Sequence, residues 1–171
     1  MQSLYLAQPY THKLKTIREY CFATACQVSA DLYLAGYDVR SPIAHCHPIA
    51  KYMNNHNDSR FWVDITLNWL KDCDIMVVLI IPGFLDSAGI RAEYHTAVQQ
   101  NKPVYLLNPL YQSKGRIQDG FIRTTQAESF RDAVRGSLGV ISGVYNQEGI
   151  RPSESDDNPK IFQDHEINWY E

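Results

Sequence analysis

The sequence predicts an α/β fold: a parallel sheet with helices on both of its faces. Two observations carry this. Short apolar runs alternate with segments of helical periodicity, giving the order β-α-β-α-β-α-β, and such alternation favours a parallel sheet. Ile75 to Ile81 is apolar without interruption and rich in β-branched side chains, as expected of a central strand covered on both faces.

Each element can be read in turn. Leu4-Tyr5-Leu6-Ala7 is a buried strand stopped by Gln8-Pro9. Lys13 to Ala35 contains no Pro or Gly. Its Leu14, Ile17, Cys21, Ala25, Val28 and Leu32 recur at helical spacing, and Gly36 supplies the stop. Asp38 to Ser41 reads as a second short strand. His45 to Ser59 is polar and rich in Asn and His, and reads mostly as loop. Helical spacing returns over residues 60–72 through Phe61, Ile65, Trp69 and Leu70. Pro82-Gly83 ends the central strand, 87–100 reads as a helix and 104–107 as the fourth strand. The first 108 residues thus form an α/β core, and 109–171 an extension. In the extension Thr125-Gln126-Ala127-Glu128 reads as a capping box for a helix over about 126–138. A polar, turn-rich arm follows, tipped by Ile167, Trp169 and Tyr170.

Composition narrows the class. The chain has 171 residues, enough for one domain with a sizeable core, with 44% hydrophobic and 20% charged residues. A net charge of −3 gives no broad basic surface, so no long nucleic acid is expected as partner. No apolar run approaches the roughly 20 residues of a membrane span. The opening MQSLYLA has no basic leader, and Cys21, Cys26, Cys46 and Cys73 form no C-x-x-C pair, so reduced thiols in a cytoplasmic protein are expected.

In an open parallel sheet, ligands bind beyond the carboxyl ends of the strands. Four segments converge there: Gln8-Pro9-Tyr10-Thr11-His12, Ser41 to His47, Pro82 to Glu93, and Asn108 onward. The third is a turn entering a helix. Its free N–H groups at Ser87 to Gly89, with the Ser41 hydroxyl and His47, are candidates to hold a phosphate or hydroxyl. Glu93 lies about two turns along that helix, and Asp86 precedes it. Two carboxylates near one site can divide nucleophile and acid–base roles, although a carboxylate on a helix is often merely solvated. His45-Cys46-His47 is too sparse a pattern to make a metal site. Lys13 and Arg91 read as solvent-facing. Neither a G-x-x-x-x-G-K-[ST] loop, a G-x-G-x-x-G turn nor a G-x-S-x-G elbow occurs, which disfavours P-loop kinases, dinucleotide oxidoreductases and serine hydrolases.

The segments YLAQPYTH, Ser41-Pro42 with His47-Pro48-Ile49, Cys73-Asp74 and PGFLDSAGIRAE, in this order, resemble a small bacterial and phage domain family similar to nucleoside 2-deoxyribosyltransferases and nucleotide N-glycosidases. The resemblance spans about residues 3 to 108. It implies a Rossmann-like, flavodoxin-type fold and cleavage of a nucleoside or nucleotide N-glycosidic bond. It implies that Glu93 attacks the anomeric carbon, with Tyr5 beside it. Asp86 falls near the acid that assists the departing base, one residue further from Glu93 than in the transferases. The aspartate those enzymes carry before the central strand falls on Thr66 here, with Asp64 two residues earlier. The chemistry needs no metal or redox cofactor, because carboxylates suffice to stabilise an oxocarbenium-like state and protonate the base. The apolar tip of the extension, together with the oligomers found among the resembled transferases, leads to the expectation of a homodimer or higher homo-oligomer whose C-terminal arm contributes to a site or interface; the alternative is an arm folded back over an edge of its own sheet. A sensor that binds nucleotides without turnover is the competing reading, since a fold does not establish an activity.

Overall fold

The computed structural model describes residues 1–53, 59–109 and 117–137. Strand β1 (Ser3–Ala7) leads to α1 (Lys15–Leu34), β2 (Asp38–Arg40), α2 (Pro42–Ala50), α3 (Ser59–Lys71), β3 (Ile75–Leu79), α4 (Ala88–Gln99) and β4 (Val104–Leu107). A short 3-10 turn (Ile117–Gly120) and β5 (Phe121–Arg123) follow. Residues 130–137 are helical and are called α5. Among the described residues no helix is long and apolar enough to cross a membrane.

The sheet order is β2-β1-β3-β4-β5. The four strands expected from sequence run parallel, and β5 adds an antiparallel edge against β4. From β1 the chain moves outward to β2 and then returns to β3 on the other side. The carboxyl ends of β1 and β3 therefore flank a topological switch point, where open α/β sheets bind ligands. Tyr5 sits in register between Arg40 of β2 and Met76 of β3.

Strand alternation builds two cores. Leu4, Leu6, Ile75, Val77 and Leu79 face α1, meeting Ile17, Cys21, Val28 and Leu32. Tyr5, Ala7, Met76, Val78 and Leu106 face the other way, meeting Leu70 of α3, Ile90, Tyr94 and Ala97 of α4, and Phe130, Ala133 and Val134 of α5. The helix of the extension is thus packed into the core. Gly36 leaves α1 at φ 91° and Gly83 leaves the β3 end at φ 84°, both in the left-handed region that glycine enters at no steric cost.

Several sequence expectations are corrected. Leu14 is not in the buried stripe of α1: it stands at the N-cap and is 55% exposed. Pro42–Ala50 is a helix rather than loop, because Ser41 caps it by accepting from Ala44 N–H (3.3 Å) and Pro42 occupies the first turn, where its missing N–H costs nothing. The buried side of α3 runs through Thr66 and Leu70, while Phe61 is exposed. The helix expected from about 126 begins at 130, since Ser129 is its cap: the hydroxyl accepts from Asp132 N–H (3.2 Å) and donates to the Asp132 carboxylate (2.6 Å). Thr125 instead donates to the Ala133 carbonyl (3.1 Å), joining the strand exit to α5. The predicted loop residues 54–58 and the arm after 137 lie outside the described residues.

Candidate functional site

The site begins with α4. Ser87 caps it by accepting from Ile90 N–H (3.3 Å), and the buried positions Ile90, Tyr94 and Ala97 set the face turned to the sheet. Glu93 lies three residues after Ile90 and shares that face. Tyr5 projects from β1 into the same layer and is fully buried. Its hydroxyl donates to Glu93 Oε1 at 2.7 Å. Thr66, buried on α3, donates to the Val63 carbonyl (3.2 Å) and lies close enough to the Tyr5 phenol to lower its pKa. Three elements distant in sequence therefore meet on one phenol oxygen and one carboxylate.

Burial dominates the electrostatics here. Desolvation raises the Glu93 pKa to about 7, with the Tyr5 hydrogen bond pulling the other way. Glu93 still keeps part of its surface open. Desolvation and the Glu93 charge hold Tyr5 well above its usual value, so the phenol stays a donor. A carboxylate with a pKa near neutrality can serve as nucleophile, base or acid.

Helix α2 presents three consecutive side chains to three surroundings. His45 is exposed and meets Trp69 of α3 edge to face, with ring centroids 5.0 Å apart. Cys46 is buried, and burial raises its thiol to about 11, which makes it a poor nucleophile at neutral pH. His47 is 6% exposed and stacks on Phe22 at 4.2 Å. Its Nδ1 lies 2.8 Å from the Tyr10 hydroxyl. Its Nε2 lies 3.2 Å from Glu19 Oε2, within ion-pair reach but off the line of a hydrogen bond. His45 and His47 thus diverge, and among the described residues no group of three or more His, Cys, Asp or Glu side chains is placed to hold a metal ion.

The other expected site residues are distributed as follows. Gln8 is buried and donates to the Cys21 carbonyl (2.6 Å), tying the β1 exit to α1, while its own carbonyl oxygen is buried without a hydrogen-bond partner among the described residues. Pro9 is partly buried against the Gly83 turn, and a Cβ added at Gly83 would lie 3.9 Å from Pro9 Cβ. Ser41 is buried at the α2 cap. Gly89 and Asn108 are exposed. Asp86 is exposed and its carboxylate is taken by Arg131 of α5. Asp64 is exposed on α3, while Thr66, two residues later, is the one turned to Tyr5. Glu19 and Trp69 are contributors that pattern reading did not single out; both depend on helices packing across the sheet. Helical spacing could have placed Thr66 and Trp69 on one side of α3, three residues apart.

Two comparisons bear on this geometry. The sequence model of a family described as a domain of unknown function (DUF1937) matches residues 2–109. No curated protein matches the chain.

Proposed function

The chain belongs to the DUF1937 family, whose match takes in β1 through β4 and both members of the Tyr5–Glu93 pair, and on that footing we propose that the protein cleaves the N-glycosidic bond of a nucleoside or a nucleoside 5′-monophosphate. The observation that carries the reading is the 2.7 Å hydrogen bond from Tyr5 to a desolvated Glu93 beside the switch point. In this reading Tyr5 fixes Oε1, and Oε2 attacks the anomeric carbon as the bond to the base breaks. The bonding pair leaves with the base, which takes up a proton. Water or a second base then displaces Glu93 from the sugar, giving hydrolysis or transfer. The sequence resemblance to deoxyribosyltransferases supports the same assignment.

Two observations favour a second reading, a nucleotide sensor. Asp86, the expected acid, is bound by Arg131, and the aspartate of the resemblance is replaced by Thr66. A site with a nucleophile and no second acid binds more readily than it turns over. The proposal also includes self-association, which rests on the resemblance and on the apolar tip Ile167, Trp169 and Tyr170 of the sequence; light scattering on the full chain checks it, and a monomer at micromolar concentration contradicts it.

Incubation with deoxynucleosides and their 5′-monophosphates tests the main reading. Free base released by the wild type and not by Glu93→Gln supports it. Binding seen in a thermal-shift assay with no base released by any substrate supports the sensor instead.

A further inference from the structure

On the β2 side of the molecule lies a cavity of about 420 Å³. This is within the range of small-molecule sites, roughly 300–1,000 Å³. Its lining comes from α1, β2, α2 and α3 and includes neither Tyr5, Thr66 nor Glu93. Aromatic walls are supplied by Tyr33, His45 and Trp69. The first is held by a hydrogen bond from its hydroxyl to the Val39 carbonyl (2.6 Å), and the other two brace each other edge to face.

The polar groups of the cavity are donors. Ser29 is 6% exposed, and its hydroxyl is buried with no hydrogen-bond partner among the described residues. A buried hydroxyl in that state costs free energy, and a rotation of Ser29 toward the cavity it lines would let an acceptor there relieve it. Ser41 uses its oxygen to cap α2, which leaves its hydrogen to donate. Arg40 lies 3.4 Å from Asp72, with both side chains more than a third exposed. Such a pair contributes little, so the guanidinium turns to another anion at small cost. Among the described residues no acidic side chain lines the cavity.

We propose that this cavity binds a planar aromatic anion, a flat ring carrying a carboxylate or phosphate, at a site separate from the Tyr5–Glu93 pair. The ring lies among Tyr33, His45 and Trp69, and the anionic group meets Arg40 and the serine hydroxyls. Arg40 is the register partner of Tyr5, and Trp69 stands one turn beyond Thr66, so the two sites share supporting elements, and Ser41 and His45, expected from sequence at the Glu93 site, line this cavity instead.

Calorimetric titration of the full chain tests this with adenosine 5′-monophosphate and indole-3-acetate as aromatic anions, and with adenosine and inorganic phosphate as controls. At least one aromatic anion is expected to bind about tenfold or more tighter than either control. Tighter binding of the nucleotide assigns the site to nucleotides, and tighter binding of indole-3-acetate assigns it to aromatic acids. Ser29→Leu, which fills the cavity, and Arg40→Gln, a half-exposed change that spares the core, should each weaken that binding about tenfold, while Glu93→Gln leaves it unchanged. The proposal is overturned if neither aromatic anion binds below about 1 mM, or if a folded Arg40→Gln protein binds as the wild type does. Nucleotide binding lost in Glu93→Gln and kept in Arg40→Gln belongs to the other site and overturns it equally.

Discussion

On each face of the sheet a titratable side chain meets a tyrosine hydroxyl, and the two differ in how they are completed. On the α1 and α2 face, His47 is enclosed: Phe22 stacks on its ring, Tyr10 meets Nδ1 and Glu19 approaches Nε2. On the α3 and α4 face, the Glu93 carboxylate accepts from Tyr5, and its electrostatics are set by desolvation. A group enclosed on every side is a latch, here holding the β1 exit against α1 and α2. A carboxylate desolvated to a pKa of about 7 and still partly open has what a reactive group needs. The difference teaches that the hydrogen bond to tyrosine is not what distinguishes the two; burial of the whole side chain against a partly open one is.

Substitutions can break or sharpen that contrast. The largest effect is expected at Glu93: the Gln variant keeps an acceptor for Tyr5, stays folded, and loses several orders of magnitude in base release. Tyr5→Phe comes next, with a loss of about 10- to 100-fold in kcat. Its acidic limb should also move to higher pH, because the Tyr5 hydrogen bond lowers the Glu93 pKa and removing it lets that pKa rise. A pH–rate profile checks both.

For the latch the expectation is reversed. His47→Ala strands the Tyr10 hydroxyl and opens a gap beside Phe22, costing about 1–3 kcal/mol in denaturant unfolding. Activity per folded molecule should change by only a few fold. A His47→Ala protein of normal stability that has lost turnover would move His47 to the reactive side of the comparison.

Glu93 also marks the pH dependence of stability. Its folded pKa is about 7 against an ordinary 4.5. The folded state therefore holds the proton more tightly, and this contribution is full below about pH 4.5 and lost as pH rises to about 7. Glu93→Gln removes the dependence, so the variant should gain on the wild type across that window, by up to about 3 kcal/mol. Chemical denaturation at pH 5 and pH 8 measures it. The smallest effect is expected at Asp86→Asn, whose partner is an exposed arginine; it should alter turnover by less than about threefold if Asp86 is not the acid.

The sheet was legible because short uninterrupted apolar runs bounded by turn residues leave few alternatives: 4–7, 75–81 and 104–107 sit within a residue or two of β1, β3 and β4. Helix α2 was hidden because Pro48 and the polar residues after His45 mask any apolar period, although Ser41-Pro42 carried the cap signal. The edge strand β5 has only three residues, and its pairing with β4 rather than its own pattern makes it a strand. Glu93 was legible from the PGFLDSAGIRAE resemblance. Its contact with Tyr5 spans 88 residues and depends on how α4 is set against the sheet, which no local spacing encodes. The displacement from Asp64 to Thr66 was visible as an alignment mismatch, and helix geometry resolves it in favour of Thr66.

The most direct test of the central claim traps the sugar on the protein. A 2′-fluoro-arabinosyl nucleoside slows both steps, because fluorine next to the anomeric carbon destabilises the oxocarbenium-like state, and the covalent adduct accumulates when its breakdown is the slower step. With Glu93 as nucleophile, intact-mass spectrometry should show one fluoro-sugar added per chain, located by peptide mapping at Glu93 and missing from Glu93→Gln. An adduct on another residue, or base released from the unfluorinated nucleoside at a near-normal rate by a folded Glu93→Gln protein, would contradict it.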